Sequence, residues 1–137
     1  MLYSFQLTVV GLYRVAQWAI PKLLSLKDGK PFFLTTSGFL YREPFSHLFS
    51  LSAAKAAQYN LMQSLSQEFG PKGVHCAVMP IGGLVRESAE ICNYETIAET
   101  AWMLYQQKRG TWQFKAELED SEYAEVVRKQ WREMRGM

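Results

Sequence analysis

The chain has 137 residues, of which 48% are hydrophobic and 14% aromatic; that is enough for one core and too apolar for a disordered segment. A formal net charge of +2 does not by itself make a nucleic-acid or membrane binder. Two cysteines, Cys76 and Cys92, are too few for a disulfide framework, and neither stands at zinc-site spacing from His47 or His75.

The apolar N-terminus is interrupted by Arg14 and Gln17 before it could span a membrane. It lacks the basic start and small-residue cleavage site of a signal peptide, so a reducing, cytoplasmic setting is expected. Phe5, Val9, Leu12, Ala16, Ala19 or Ile20, and Leu23 recur at helical spacing and predict a helix over 4–24, bent at Pro21 or beginning its last turn there. After the polar turn 27–30, residues 31–36 read as a short strand buried on both faces, the kind found in parallel sheets. Residues 37–49 read as a loop.

The run Ser50-Leu51-Ser52-Ala53-Ala54-Lys55-Ala56-Ala57 opens a helix expected to reach Phe69. Leu51, Ala54, Ala57 or Gln58, Leu61, Leu65 and Phe69 mark its apolar face. Its small side chains allow close approach of another backbone. Lys55 is its only charge before Glu68 and either points into a site or sits on the wet side. Gly70-Pro71-Lys72-Gly73 is a strong stop, and 74–79 is a second strand carrying His75 and Cys76.

A glycine-bearing loop over 80–93 follows, with a short turn expected around 87–91. Asn93 is placed to cap a helix over 94–107, with Ile97, Ala101, Leu104 and Tyr105 inward, Trp102 at one flank and Gly110 as its stop. Residues 111–118 alternate, with Trp112, Phe114, Ala116 and Leu118 on one side, and predict a half-exposed edge strand. Ser121 is expected to cap a last helix whose apolar face is Tyr123, Val126, Val127, Trp131 and Met134. Its acids precede its bases, as the helix dipole favours. The alternation of helix and strand implies an α/β fold with a parallel sheet of about three strands. Mixed charges and the absence of a recognition motif argue against nucleic acid.

The order helix, strand ending in Thr35-Thr36-Ser37-Gly38, loop, Ser50 to Ala57, then strand ending in Met79-Pro80-Ile81-Gly82-Gly83 resembles the C-terminal half of a short-chain dehydrogenase/reductase. The resemblance covers roughly 5–118. It implies residues 1–137 as a single truncated, partial Rossmann-like domain, with 119–137 a C-terminal helical extension.

The resemblance also implies a function and a site. The function would be NAD(P)-dependent hydride transfer on a small carbonyl or alcohol. In the family a tyrosine moves the proton, a lysine four residues on binds the nicotinamide ribose, and a serine polarises the substrate oxygen. General acid–base work of this kind needs the hydroxyl and the lysine on one helical face. Carried over by position, Ser37 and Lys55 are the residual catalytic residues, but the tyrosine position is Leu51 and the asparagine position of the preceding helix is Thr8. The same pattern, with Ile97-Ala98-Glu99 and Trp102, is similar to a divergent branch that also carries leucine there.

Lys55, Pro80, Gly82, Gly83 and Val85 are the expected cofactor-binding residues. No Gly-x-x-x-Gly-x-Gly turn occurs in the sequence, so NAD(P) binding is expected to be poor. The enzyme reading therefore needs residues from elsewhere. The alternative is a pseudoenzyme that forms homo- or hetero-oligomers through helices 4–24 and 50–69, as the family's helices do. The strand over 31–36 is expected to keep one edge open.

Overall fold

The computed structural model describes residues 1–136. The chain begins with one continuous helical stretch in three pieces: α1 (Leu2–Phe5), a π-helical segment (Gln6–Val10) and α2 (Gly11–Leu24). Pro21 begins the last turn of α2, which runs to Leu24, one of the two outcomes expected for it. The π segment widens the helix where it packs along α3 (Phe49–Phe69).

β1 (Phe32–Gly38) and β2 (His75–Gly82) run parallel, with Phe32 opposite His75 and Ser37 opposite Pro80. A two-residue β3 (Leu118–Glu119) completes the order β1-β2-β3. Among the described residues β1 pairs with β2 alone, which leaves its other edge without a strand, as the sequence predicts.

Helices cover both faces of the sheet. On one face Ala16 and Ile20 of α2 and Met62 of α3 pack on Phe33, Cys76 and Val78. On the other, Ile97 and Ala101 of α4 (Tyr94–Gln106) pack around Leu34 and Met79. The split follows from the strand period of two, because alternate residues of β1 and β2 point to opposite helix layers. α5 (Ser121–Arg135) closes the described chain.

Three expectations need correction. The inward line of α3 is Ala54, Gln58 and Met62, whereas Leu51 and Leu61 are only half-buried. Gln58, an alternative to Ala57 on the expected face, is 8% exposed because its side-chain oxygen has Ser37 and Lys55 as polar partners inside.

The strand over 111–118 is reduced to a bridge at Lys115 and the pair Leu118–Glu119. Val78 N–H donates to Phe114 O (2.7 Å), and Val78 O accepts from Ala116 N–H (3.1 Å). The next donor facing that strand belongs to residue 80, a proline with no N–H, so the ladder breaks there. The burial alternation from Trp112 to Leu118 nevertheless holds.

Ser121 does not cap α5. Asp120 occupies the N-cap position, and Ser121 Oγ, already within the first turn, donates to Glu90 Oε2 at 2.7 Å. The side chains of Trp131 and Met134, expected on the inward face of α5, lie outside the described residues.

Elsewhere the helix-end signals hold. Asn93 accepts from Thr96 N–H at 2.9 Å and caps α4. Gly73 closes the turn after α3 at φ +97°, a conformation that costs other residues a clash. The expected turn near 87–91 is a single one, with Ala89 N–H donating to Arg86 O. No helix among the described residues is long and apolar enough to cross a membrane.

Candidate functional site

The C-terminal ends of β1 and β2 bring the sequence-singled residues together. Ser37 ends β1, half-buried, and Lys55 and Gln58 stand three residues apart on the same side of α3. Lys55 Nζ donates to Gln58 Oε1 at 3.1 Å, and Ser37 Oγ donates to the same oxygen at 3.4 Å. Lys55 is thus turned inward and not fully solvated, and burial lowers its ammonium pKa from the ordinary lysine value. Leu51, one helical turn earlier, is half-buried and has no proton to give. Ser52 is buried and accepts from Phe45 N–H at 3.1 Å, which fastens the incoming loop to α3. Thr8 lies in the π-helical segment, which packs against α3.

The loop after β2 is shaped by close packing. A Cβ on Gly82 would come within 2.5 Å of the Phe39 ring, itself 1% exposed. A Cβ on Gly83 would come within 2.5 Å of Asp120 Oδ2 and 2.8 Å of Cys92 Sγ. Pro80 is buried between the strands, and Val85 is exposed.

Asp120 pins this loop. Its Oδ1 accepts from Ile91 N–H at 2.7 Å and Cys92 N–H at 3.0 Å. The Ile91 bond, with that from Cys92, holds the carboxyl below the usual aspartate value against the opposing effect of burial. Burial and the neighbouring Asp120 charge raise the Cys92 thiol, so it stays protonated.

Two tyrosines lie nearby in the fold but are otherwise engaged. Tyr41 stacks on Tyr59 with ring centroids 4.2 Å apart. Its hydroxyl donates to Glu117 Oε1 at 2.6 Å and accepts from Lys115 Nζ at 3.2 Å. Burial and the Glu117 bond raise the Tyr41 hydroxyl, so it keeps its proton. Glu117 also pairs with Arg42 and Lys115, and Arg128 of α5 reaches Glu119 at 2.8 Å. These ion pairs tie the 39–43 segment to β3 and α5.

Sequence reasoning does not single out Gln58, Phe39 or Asp120 as parts of this region. Gln58 has a helical-face signal shared with Ala57, and Asp120 has an N-cap signal one residue before the serine chosen for that role. Phe39 carries no signal, since its partner Gly82 is 43 residues away in sequence. Among the described residues, no three His, Cys, Asp or Glu side chains are grouped to hold a metal ion.

A parallel sheet covered by helices on both faces, with polar side chains gathered at the C-terminal ends of its strands, defines a partial doubly wound α/β protein. Compared by sequence, the chain matches no family model and no curated protein. Compared by structure, it has the fold of about half of a short-chain dehydrogenase. It resembles a short-chain dehydrogenase from Rhodopseudomonas palustris with a TM-score of 0.70 at 20% identity, over 84% of this chain and 49% of that one. It resembles the apo structure of a short chain oxidoreductase from Pseudomonas aeruginosa PAO1 "containing an atypical catalytic center", with a TM-score of 0.70 at 20% identity over 87% and 56%. It also resembles the bulky-bulky ketone specific alcohol dehydrogenase from Comamonas testosteroni, with a TM-score of 0.64 at 16% identity over 94% and 51%. The chain therefore spans about half the length of the structures it matches.

Proposed function

We propose that this chain carries the substrate- and nicotinamide-facing part of an NAD(P)-dependent oxidoreductase of the short-chain dehydrogenase/reductase kind. It would act on a small carbonyl or alcohol, and on its own it is weakly active or inactive. The observation that supports this is the meeting of Ser37 and Lys55 on one oxygen, Gln58 Oε1, at the C-terminal end of β1. Ligands of open parallel sheets bind at that end. The Gln58 oxygen stands where a ligand oxygen would be received, so the same two donors can turn to a ribose hydroxyl and a carbonyl oxygen.

When bound, NAD(P) supplies the hydride. Lys55 would hold its ribose, and Gly83 and Val85 would line the nicotinamide side, whereas Pro80 and Gly82 are buried, Gly82 under the Phe39 ring. Ser37 orients the substrate oxygen. With Leu51 four residues before Lys55 and the Tyr41 hydroxyl engaged by Glu117, no tyrosine stands at the position from which the acid–base step would take its proton. The sequence has no Gly-x-x-x-Gly-x-Gly turn to receive a pyrophosphate.

The test is thermal unfolding with and without NADPH or NADH, with cofactor oxidation followed over a panel of ketones. A ligand at about 100 times its dissociation constant adds about 2.7 kcal/mol of stability. The expected result is a rise in Tm that needs millimolar cofactor, with turnover at or near background. No rise at any concentration overturns the reading of a surviving nicotinamide site.

A second reading, association with a copy or with a complete relative, is favoured by the exposed apolar side chains along the first helix. Tyr3 is 73% exposed, Leu7 62% and Trp18 68%, and the open edge of β1 lies in the same chain. Sedimentation equilibrium checks this reading: Leu7→Glu with Trp18→Glu should shift an oligomer to monomer, and a wild-type monomer at all concentrations rejects self-association.

A further inference from the structure

The opposite end of the sheet carries a second site candidate, built from groups that the proposed function does not use. Where β1 and β2 begin, the rings of Trp112, His75, Phe32 and Tyr105 follow one another. Trp112 stacks on His75 at 5.0 Å with planes 3° apart, Phe32 lies 5.1 Å from His75, and Tyr105 meets the edge of Phe32 at 5.8 Å. His75 is fixed by its Nε2 contact with Gln113 O at 2.7 Å, and Trp112 Nε1–H donates to Gln107 O at 3.2 Å. These rings wall a cleft of about 340 Å³.

Lys30, Lys108 and Arg109 stand around the cleft, and no carboxylate lines it. Among the described residues none of these three cations belongs to an ion pair. Two of them are oriented by backbone carbonyls. Lys30 Nζ donates to Gln106 O at 2.9 Å and lies 5.7 Å from the Tyr105 ring centre, and the Arg109 guanidinium donates to Pro71 O. Glycine turns with positive φ, Gly29 at +114° and Gly73 at +97°, bring the backbone round this end and also line the cleft. Five residue steps along β1, from Phe32 to Ser37, separate it from Ser37 by about 17 Å.

We infer that this cleft binds a planar aromatic anion: one ring system carrying a carboxylate or a phosphate. The ring walls offer flat apolar faces of matching shape. Three positive charges without carboxylate partners favour an anion over its neutral analogue. The volume fits one ring system and its charged group, not a polymer.

The test is titration of the full ¹⁵N-labelled chain with naphthalene-2-carboxylate and with adenosine monophosphate, reading the indole N–H of Trp112. The controls are naphthalene-2-carboxamide, adenosine and inorganic phosphate. The Trp112 signal is assigned with Trp112→Phe or, should that variant not fold, by its contacts with His75 in the wild-type chain. At least one anion should move the signal in the low-millimolar range or tighter, and the stronger of the two identifies the carboxylate or the phosphate as the source. Lys30→Gln with Lys108→Gln, both at exposed positions, should weaken that binding about tenfold while the chain still melts cooperatively. Binding of the neutral analogue as tightly as its anion overturns the inference. So does a Trp112 signal that neither anion moves, or affinity unchanged in the double variant.

Discussion

The two ends of the sheet solve opposite packing problems. At the C-terminal ends of β1 and β2 the polar groups are turned toward the chain's own partners. Ser37 and Lys55 share Gln58, Asp120 takes two backbone N–H groups, and Phe39 fills the space over Gly82. At the N-terminal ends the aromatic rings pack on one another, but among the described residues the cations around them form no ion pair. The end at which the fold places its chemistry is thus the more self-contained. The end with unmatched charge is the one that the fold alone would not nominate. A likeness of fold tells where a site lies in relatives; it does not tell which groups of this chain still need a partner.

The comparison can be broken most strongly at Asp120. Asp120→Ala leaves the Ile91 and Cys92 amides without acceptors and should cost about 2–4 kcal/mol in urea unfolding. A loss near zero would mean that water replaces the carboxylate and that this end is not self-contained. The same carboxyl sets an acid limit. Its folded pKa is lowered, so its contribution is full above the unfolded value of about 3.9 and is lost as pH falls through the folded value. In Asp120→Asn that part of the acid sensitivity should disappear.

Gly82→Ala comes next. The added methyl meets the Phe39 ring and should cost about 1–3 kcal/mol. Gly110→Ala is no control, because its φ of +95° brings backbone strain of its own. Phe39→Leu combined with Gly82→Ala should recover part of the loss if the ring is the obstacle, which a double-mutant cycle would read.

At the other end, His75 provides a smaller and separate signal. Burial lowers its folded pKa, so the neutral ring is favoured in the fold. Both states are neutral above the unfolded value of about 6.5, and stability should fall as pH drops from there toward the lowered folded value. His75→Phe should flatten that slope without touching the Asp120 window below about pH 4. The smallest effect is expected for Lys108→Gln, within about 0.5 kcal/mol, since the side chain is exposed and makes no ion pair among the described residues.

Much of the architecture is legible because local signals agree with it. Asn93 caps where a cap is expected, Gly73 and Gly110 sit in left-handed turns, and the two-sided run over 31–36 becomes a parallel strand. What the sequence hides is long-range. Helical spacing leaves Ala57 and Gln58 as equal candidates for one face, and only Ser37, 21 residues away, favours Gln58. The break in the strand over 111–118 is caused by Pro80, which belongs to the neighbouring strand. Ser121 is displaced from the expected cap position by Asp120, whose carboxylate is taken by the distant amides of Ile91 and Cys92. Of the candidate site, Ser37 and Lys55 are readable from their order in the chain. The shared acceptor that joins them is not.

The most direct measurement is a titration of the ¹⁵N-labelled chain with reduced nicotinamide mononucleotide and, separately, with NADH. If this chain carries the nicotinamide-facing part of a site, the amides of Gly82, Gly83 and Val85 and the Lys55 ammonium should shift with both. The two affinities should agree within about threefold, because the adenylate half finds no contacts here. Signals that move with neither compound, or NADH binding tighter by about a hundredfold, would contradict the account.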